Sequence, residues 1–488
     1  MDSKPPVAVV VLAAGAGTRM KSKLPKVLHP VCGQSMLLHA IGAAEATGAP
    51  EVVAVVRFER DQVVGHLEKH APHVTIADQD EVPGTGRAVQ NGLEKVAAQT
   101  GTVLVTYGDV PLLEGQTLQE LVAAHDRAEA GVSVLTAVVS DPTGYGRIIR
   151  TEDGSDVLGI VEHKDTTEEQ RAITEVNSGI YAFDLALLRE ALTKVTTDNA
   201  QGEMYLTDVL SIARQMGHRV VGHVIDDAIQ VEGANDRAQL SQLAAEMNRR
   251  IAVQHMKNGV TIIDPATTWI DKDVTIGQDA VILPGVQLHG ATVIGEDAEI
   301  GPDSTLTDVT VGRGASVVRT HAFGAVIGDE ATVGPFTYLR PGTVLGTAGK
   351  IGGFCETKNA TIGDHAKVPH LSYVGDAEIG EGTNIGAATI FANYDGVNKH
   401  RAVVGKHVRV GSDNVLVAPV TIGDGAATGA GTTVLKDVAP GALALNTITQ
   451  KSIDGWTLKN RANTKAADAA RAAGAADADE TTTVTEEN

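Results

Sequence analysis

Residues 274–300 read VTIGQDAVILPGVQLHGATVIGEDAEI, and an aliphatic residue returns at every sixth position of this stretch. A six-residue period is typical of a parallel β-helix, in which coils stack and aliphatic side chains point inward. A β-sandwich, the alternative, would show alternation every two residues and wider spacing between turns. The repeats therefore predict a parallel β-helix over residues 260–463. Its inward positions are Ile276, Ile282, Leu288, Ile294, Ile300, Leu306, Ile327, Val333, Leu339, Leu345, Ile351, Val404, Val410, Leu416 and Ile422.

The period is interrupted near His321–Val326 and again at Ala392–Arg401. Insertions in a solenoid are expected to emerge as loops, often on the binding face.

Composition narrows the class of protein. The 488-residue chain is long enough for two or three domains and has a formal net charge of -21. A general nucleic-acid-binding role is excluded, because the phosphate backbone requires a basic face. The two cysteines, Cys32 and Cys355, form neither a disulfide framework nor a zinc cluster. With no apolar run of ~18 residues, we expect a cytoplasmic protein without a membrane span.

Residues 1–235 alternate between strand-like and helix-like segments, which is typical of an α/β domain with a mostly parallel, Rossmann-like sheet. The sequence predicts strands at Val7–Leu12, Val52–Val56, Val103–Tyr107 and Val132–Val139, and helices at Leu37–Ala46 and Leu118–Ala130.

A single linker helix is predicted over residues 236–259. Leu240, Leu243, Met247 and Ile251 share one face, with Asn235 or Asp236 as the N-terminal cap and Gly259 at the end. Residues 464–488 are rich in Ala, Asp, Glu and Thr, so a disordered acidic tail is expected there.

A glycine-rich loop follows the first predicted strand and reads Ala13-Ala-Gly-Ala-Gly-Thr-Arg-Met20, with Pro25-Lys26 shortly after it. Glycines let the backbone approach phosphates, with successive N–H groups directed at the anion. Arg19 and Lys26 add positive charge suited to a triphosphate. A lone Gly-x-Gly is often only a tight turn, and this string matches neither a Walker A motif nor a dinucleotide fingerprint.

The whole string resembles the signature of sugar nucleotidyltransferases. An apolar strand from Val103 then ends in Tyr107-Gly-Asp109, at the carboxyl edge where α/β sheets bind ligands. A lone Asp often only caps the next segment, but beside the glycine loop its carboxylate suits Mg²⁺, which prefers oxygen ligands.

Further matches extend the resemblance over residues 7–456. They are Pro83-Gly-Thr-Gly86 after Gln79, Gly144-Tyr-Gly-Arg-Ile148, Ile160-Val-Glu162, Glu175-Val-Asn-Ser-Gly179, Gln201-Gly-Glu-Met-Tyr-Leu-Thr-Asp208 and Val231-Glu-Gly-Ala-Asn235. With the hexapeptide coil attached, the chain resembles the bacterial bifunctional N-acetylglucosamine-1-phosphate uridylyltransferase/glucosamine-1-phosphate acetyltransferases. The resemblance implies a left-handed β-helix, Mg²⁺, and UTP and acetyl-CoA as substrates. It also implies a nucleotide and sugar site formed by Leu12, Ala13, Ala14, Gly15, Arg19, Lys26, Gln79, Gly84, Thr85, Tyr107, Gly108, Asp109, Gly146, Glu162, Asn177 and Asn235, with Asp109 and Asn235 on the metal.

Polar strings interrupt the coil where its aliphatic core has no need of them. They are Tyr338-Leu-Arg340, Cys355-Glu-Thr-Lys358, Pro369-His-Leu-Ser-Tyr373, Asn384-Ile-Gly-Ala387, Asn393-Tyr394 and Gly411-Ser-Asp413. A lone histidine is more often a surface or turn residue than a base, but an imidazole titrates near neutrality and suits proton transfer.

These strings resemble the acetyltransferase half of the same family. The resemblance implies that His370 is the general base and that Glu356 orients it. It assigns the sugar phosphate to Arg340, Lys358, Tyr373 and Asn384, and acetyl-CoA to Ala387, Asn393, Tyr394, Ser412 and Ala430. It also implies a homotrimer.

One position departs from the family pattern. Thr447 stands where many members carry an arginine near the coenzyme A phosphates, and Lys451 is a candidate substitute. Two other readings also remain: a one-activity sugar nucleotidyltransferase with a structural coil, like the glucose-1-phosphate adenylyltransferases, and a non-catalytic scaffold, like the exchange-factor subunits of translation initiation.

Overall fold

The computed structural model describes residues 4–199, 201–447 and 450–475. A nine-stranded sheet forms the first part of the chain. Seven of its strands form a continuous row in which neighbours run parallel to each other. The exception is Glu175–Asp184, which runs antiparallel to the strands on both sides of it. The order across the sheet is Val220–Ile225, Val132–Val138, Glu175–Asp184, Thr102–Tyr107, Ala8–Leu12, Val52–Val56 and Thr75–Asp78, with Arg147–Arg150 and Val157–Val161 attached beside Glu175–Asp184.

Helices cover both faces of this sheet, which explains why its central strands are apolar throughout. All five residues of Ala8–Leu12 and of Val52–Val56 are buried, as expected for a parallel sheet. The helices are Met36–Glu45, Arg60–His70, Thr85–Leu93, Gly115–Arg127, Glu168–Arg171, Leu185–Leu192 and Asp208–Gln215, with 3₁₀ turns at Thr18–Met20, Lys26–Leu28, His163–Asp165 and Ala228–Val231.

The second part of the chain is a coil of short parallel strands, which confirms the predicted fold class. One sheet contains Thr261–Ile262, Val281–Ile282, Glu299–Ile300, Ser316–Val317, Thr332–Val333, Lys350–Gly353 and Lys367–His370. A second contains Trp269–Ile270, Thr275–Ile276, Gln287–His289, Val293–Ile294, Thr305–Thr307, Thr310–Val311, Thr320–Phe323, Val326–Ile327, Thr337–Leu339, Val344–Leu345, Glu356–Ile362, Tyr373–Ile379, Ile390–Ala392, Ala402–Val404, Val415–Val417, Val420–Ile422 and Thr433–Val434. Ala427–Thr428 pairs with Leu443–Ala444.

The inward positions of the coil form one continuous apolar core. Of the aliphatic residues predicted to point inward, Ile276 near the start of the coil is half-buried and the others are buried. The first interruption of the period is a shortening of the turns. Between Leu306 and Ile327 the buried residues Val311, Val317 and Ala322 follow in steps of five or six, and Leu306 still pairs with Ala322.

The linker helix Arg237–Lys257 and a hairpin join the two parts. Asp236 caps the helix by accepting from the backbone N–H groups of Ala238 and Gln239. The hairpin strands Pro30–Val31 and Gln34–Ser35 reach the first turn of the coil, where Gln34 Nε2 donates to Asp273 Oδ1 at 2.8 Å. A separate apolar cluster around Val31, Cys32, Met36, Leu112, Ala234 and Leu243 fills this junction.

The C-terminal segment differs in part from its prediction. Trp456–Asn460 and Lys465–Ala472 are helices, although disorder was expected from residue 464. Thr464 caps the second helix by accepting from Ala467 N–H, and alanine is the best helix former. The expected disorder of residues 476–488 lies outside the described residues. No helix in the described part of the chain is long and apolar enough to cross a lipid bilayer.

Candidate functional sites

Four adjacent parallel strands end at the same edge of the first sheet and supply its functional residues. In order they are Thr102–Tyr107, Ala8–Leu12, Val52–Val56 and Thr75–Asp78. The residues that follow them are Gly108 and Asp109, the glycine loop, Arg57 and Phe58, and Gln79. Segments far apart in sequence therefore converge at the edge where open α/β sheets bind ligands.

Lys26 joins the two residues expected to bind a metal. Its ammonium forms an ion pair with Asp109 and donates to Asn235 Oδ1 at 3.1 Å. Asn235 directly precedes the cap of the linker helix, so the start of that helix places its side chain. One cation thus lies between a carboxylate and an amide oxygen that come from separate elements.

The donor set at this point fits a hard divalent cation. Carboxylate and amide oxygens are suitable ligands, and the Lys26 ammonium shows that both can face one positive charge. Among the described residues no group of three or more His, Cys, Asp or Glu side chains is placed to hold a metal. Two protein ligands are nevertheless sufficient for Mg²⁺ where substrate phosphates complete its coordination.

The glycine loop has open space where a ligand would approach. Gly15 is exposed, and a Cβ there would meet no atom within 4 Å. Gly17 has a φ of 58° and lies against Lys26, so a side chain at this position would be strained and would collide with the Lys26 stem. Arg19 is exposed in the 3₁₀ turn Thr18–Met20 beyond the loop.

A second loop, from Pro83 to Gly86, is held against residues 204–206. Gly86 N–H donates to the Met204 carbonyl oxygen at 2.8 Å, and Leu206 N–H donates to Thr85 Oγ1 at 3.1 Å. Gly84 has a φ of 116°, and a Cβ there would collide with Met204 backbone atoms. Gln79 Nε2 donates to the Gly84 carbonyl oxygen at 3.2 Å, which ties the strand end to the loop.

These groups surround a cavity of about 440 Å³, called the front cavity. Arg57 and Phe58 also line it, although the sequence did not single them out. The Arg57 guanidinium lies 5.3 Å from the centre of the Phe58 ring. Their position directly after a buried strand was the available signal. The predicted residues lining the front cavity are Leu12, Ala13, Ala14, Gly15, Lys26, Gln79, Gly84, Thr85, Tyr107 and Asp109.

An adjoining cavity of about 520 Å³, called the side cavity, shares Thr85, Tyr107 and Glu203 with the front cavity. Glu162 and Asn177 line it, and Gly146 lies beside both, since a Cβ there would be 3.6 Å from Glu162 Oε1. Burial, with a smaller contribution from the Asp165 charge, raises the pKa of Glu162. Burial, with smaller contributions from the Asp109 and Glu162 charges, also raises the pKa of Tyr107.

In the coil, four predicted residues form a single column along one corner, called the corner column. Ala388 N–H donates to the His370 carbonyl oxygen, Asp413 N–H to that of Ala387, and Gly431 N–H to that of Ser412. His370, Ala387, Ser412 and Ala430 therefore lie one above another in successive coils, each directly before a corner residue. Coils stack about 4.8 Å apart. His370, Ser412 and Ala430 are exposed and Ala387 is half-buried, so the column presents a row suited to an extended ligand.

Glu356 lies on the strand that follows the same corner. It pairs in register with Tyr338 on one side and Tyr373 on the other. Its Oε1 accepts from Arg340 Nη1 at 2.9 Å. The structure thus gives Glu356 an arginine partner, and its orienting effect on His370 stays a prediction.

Three cations lie together on this face, and one was missed from the sequence. The neighbouring Lys399 ammonium, with a smaller effect from Arg340, lowers the pKa of Lys358. Lys399 belongs to the hairpin formed by the second interruption, where Tyr394 pairs with it across the strands. The sequence signal that could have identified Lys399 is a basic residue inside the second interruption of the six-residue period. Arg340, Lys358 and Lys399 are called the cation cluster.

Asp376 lies beside the cation cluster and anchors the hairpin. Its carboxylate accepts from Asn359 Nδ2 at 2.7 Å and from Asn393 Nδ2 at 2.5 Å. Burial alone would raise the pKa of Asp376, but these hydrogen bonds and the charges of Lys358 and Lys399 hold it below its usual range. Asn393 is thereby fixed, whereas Tyr394 beyond it is exposed.

The remaining predicted residues of the coil are less closely grouped. Asn384 is half-buried and forms parallel bridges with Lys367 and Arg409, on the sheet that leads to His370. Thr447 and Lys451 are exposed on either side of residues 448–449, which the structure does not describe. Cys355 is buried, and burial raises the pKa of its thiol, as expected for a packing residue.

Two family models match the chain, one in each part. Residues 9–153 match the MobA-like NTP transferase domain. Residues 273–308 match the bacterial transferase hexapeptide, a family of six repeats.

Curated relatives match almost the whole chain. A protein of Pseudarthrobacter chlorophenolicus is 60% identical over 471 residues, which cover 96% of each chain. Proteins of Mycolicibacterium vanbaalenii and Corynebacterium efficiens are 59% and 57% identical, over 94% and 96% of each chain. Each of these relatives is named bifunctional protein GlmU.

Proposed function

The chain belongs to the family of the bifunctional protein GlmU, and from that premise we propose how its two sites divide the work. It is a bifunctional transferase that makes UDP-N-acetylglucosamine. The coil transfers an acetyl group from acetyl-CoA to glucosamine 1-phosphate. The α/β domain then joins the product to UTP and releases pyrophosphate. The observation that carries this division is the presence of two separate sites, the paired cavities and the corner column with its cation cluster.

In uridylyl transfer, an oxygen of the sugar phosphate attacks the α-phosphorus of UTP, and the bond to the pyrophosphate oxygen breaks. The front cavity takes the nucleotide and the side cavity takes the amino sugar. Lys26, Arg19 and backbone N–H groups of the glycine loop neutralise the charge that develops on the phosphate oxygens. No side-chain nucleophile is required, because the protein positions the two substrates.

Asp109 and Asn235 would hold Mg²⁺ in this reaction. The ion would supply charge neutralisation at the phosphates. The Lys26 ammonium contacts both residues. A cation held by Asp109 and Asn235 would compete with it, and the Lys26 ammonium would then be available to the phosphates.

In acetyl transfer, the amine of glucosamine 1-phosphate attacks the thioester carbon of acetyl-CoA, and His370 takes the proton that the amine loses. The thiolate of coenzyme A leaves as the tetrahedral intermediate collapses and is protonated to the thiol. The cation cluster fits the sugar phosphate, and Tyr373 and Asn384 complete that pocket. Coenzyme A would lie along the corner column from Ala387 to Ala430, with Asn393 and Tyr394 beside it. Ser412 would lie near the oxyanion of the tetrahedral intermediate.

We further propose a homotrimer in which neighbouring coils complete the acetyl-transfer site. The His370, Ser412 and Ala430 positions and Tyr394 are exposed in the single chain, and an acyl-transfer site usually excludes water. The proposed domains remain residues 1–235, 236–259 and 260–463, followed by the tail at 464–488. A cytoplasmic location is consistent with the two free, buried cysteines.

The single-activity and scaffold readings are set aside. Relatives at 57–60% identity over 94–96% of the chain are bifunctional by name. Mass analysis of products from glucosamine 1-phosphate, acetyl-CoA, UTP and Mg²⁺ tests the proposal. UDP-N-acetylglucosamine should appear only when all substrates are present. Free coenzyme A without an acetylated sugar, or UDP-glucosamine as the main product, would contradict it.

A further inference from the structure

His163 lines the side cavity beside Glu162, and its ring nitrogen Nδ1 contacts the buried side chain of Arg147. Arg147 is 1% exposed. Its Nη1 donates to the Tyr145 carbonyl oxygen, and its Nη2 lies 3.3 Å from His163 Nδ1. Its Nε has no hydrogen-bond partner in the described part of the chain.

A buried guanidinium whose hydrogen-bond partners are a carbonyl oxygen and an imidazole nitrogen is costly, since its charge is removed from water. The exposed Asp141 carboxylate acts on it only through space, and no carboxylate in the described part of the chain accepts a hydrogen bond from it. Packing alone gives no reason to keep such a group next to a cavity. Its place in the chain is directly after Gly146, which packs closely at the cavity, since a Cβ there would lie 2.8 Å from Ile160 Cγ2 and 3.6 Å from Glu162 Oε1.

The contact with Arg147 fixes the tautomer of His163. A guanidinium can only donate hydrogen bonds, so Nδ1 must be the acceptor. In the neutral ring the proton then lies on Nε2, the nitrogen at the far side from Arg147. Arg147 thus turns His163 into a hydrogen-bond donor of fixed orientation.

The side cavity is rich in acceptors, and two of its donors are already engaged, since Asn199 Nδ2 donates to the Glu203 carbonyl oxygen and the Tyr205 hydroxyl donates to Gln201 Oε1, each at 2.6 Å. Next to Lys164, whose ammonium is carried on a flexible stem, His163 adds a donor whose orientation Arg147 fixes. Glu162, Asp165 and Glu203 all contribute carboxylates to its lining. Asn177 Oδ1 already accepts from Gly179 N–H at 2.9 Å and from the Tyr181 hydroxyl at 3.1 Å. An amino-sugar phosphate carries hydroxyl and carbonyl oxygens, and carboxylates cannot donate to them.

We propose that His163 is a substrate-contacting residue of the uridylyltransferase site, whose Nε2–H donates to an oxygen of the amino sugar, and that Arg147 is its positioning residue. The inference rests on the proposed function, because it takes the side cavity as the sugar site.

The test compares His163→Phe with His163→Gln. Phenylalanine keeps a ring without a donor, and glutamine keeps an N–H donor. With UTP saturating, the Phe variant should raise the KM for N-acetylglucosamine 1-phosphate roughly 3- to 10-fold, the value of one neutral hydrogen bond. The KM for UTP and the acetyl-transfer rate should not change. The Gln variant should recover most of the loss, and His218→Phe, at an exposed histidine, is the matched control.

Arg147→Lys, alone and combined with His163→Phe, tests the positioning role. If Arg147 acts through His163, its effect on the sugar-phosphate KM should disappear in the His163→Phe background, whereas a structural role would add to it. A Phe variant with an unchanged sugar-phosphate KM, or with an equal rise in the KM for UTP, would overturn the proposal. Absence of uridylyl transfer in the wild type would instead refute the proposed function itself.

Discussion

The α/β domain and the coil build their sites in opposite ways. In the first, residues as distant as Lys26, Asp109 and Asn235 meet at one sheet edge, and the cavities are formed within a single chain. In the coil, residues recur once per turn, so His370, Ala387 and Ser412 form an open row on the surface.

The difference follows from how each fold brings residues together. An open sheet with crossover helices collects loops from several strands at one edge, which encloses a ligand on several sides. A solenoid contacts only its own neighbouring turns, so it offers flat columns and needs a second surface to enclose a ligand. One chain therefore carries a self-contained site and a site that we expect a neighbouring coil to complete.

The largest expected effect is the loss of uridylyl transfer alone, caused by a change in the α/β domain. Asp109→Ala removes the carboxylate that faces Lys26 and would face Mg²⁺. Uridylyl transfer, measured as pyrophosphate release, should fall on the order of 1000-fold, because charge neutralisation at the phosphates is lost.

Acetyl transfer, measured as thiol release, should remain within about twofold of the wild type. Asp78→Ala, which removes an exposed carboxylate at the same sheet edge, with two strands between it and the strand that leads to Asp109, serves as the control. Loss of both activities in a folded Asp109 variant would show that the sites are not independent.

A change in the coil should have the opposite effect, the loss of acetyl transfer alone. His370→Ala should lower acetyl transfer about 100- to 1000-fold by removing the general base, while pyrophosphate release stays normal. His365→Ala, at an exposed histidine in the preceding coil corner, is the matched control. Equal losses in both variants would contradict the assigned role.

The sequence predicted the coil well, because a strict six-residue period has few structural solutions. Leu306 and Ile327 were correctly predicted to point inward. The steps of five residues between them were not predicted, because Val311 and Ala322 fit no fixed period. Their inward positions depend on pairing with residues of the neighbouring coils. The helix Lys465–Ala472 was missed because its alanine-rich sequence lacks an apolar stripe and depends on a cap at Thr464.

Motifs identified single residues at the sites, but their partners depend on tertiary structure. No motif indicated that Arg340 would pair with Glu356, because the pair bridges two successive coils. Phe58 and Lys399 were not predicted as site residues, because each lies in a loop whose direction the sequence does not specify. The residue roles that the resemblance implies remain predictions.

A smaller effect is expected at the cation cluster. Lys399→Ala should raise the KM for glucosamine 1-phosphate about 10-fold, since one charge-assisted hydrogen bond to the phosphate is lost. The maximal rate of thiol release should change little, because His370 is untouched.

Lys406→Ala removes an exposed lysine of the following coil, which forms an ion pair with Glu381, and should behave as the wild type. An unchanged KM in the Lys399 variant would place the sugar phosphate elsewhere.

The smallest effect is expected where the two regions meet. Gln34→Ala removes the hydrogen bonds from its amide nitrogen to Asp273, which link the hairpin to the first turn of the coil. The contact is exposed, and exposed polar pairs contribute about 1 kcal/mol or less. The apolar cluster around Met36 and Leu243 and the hydrogen bonds of Asn248 to Thr268 and Ile270 also hold the junction. Both activities should therefore stay within about twofold. A selective loss of pyrophosphate release would mean that the coil helps to position Lys26, which lies eight residues before Gln34, and the first site would no longer be self-contained.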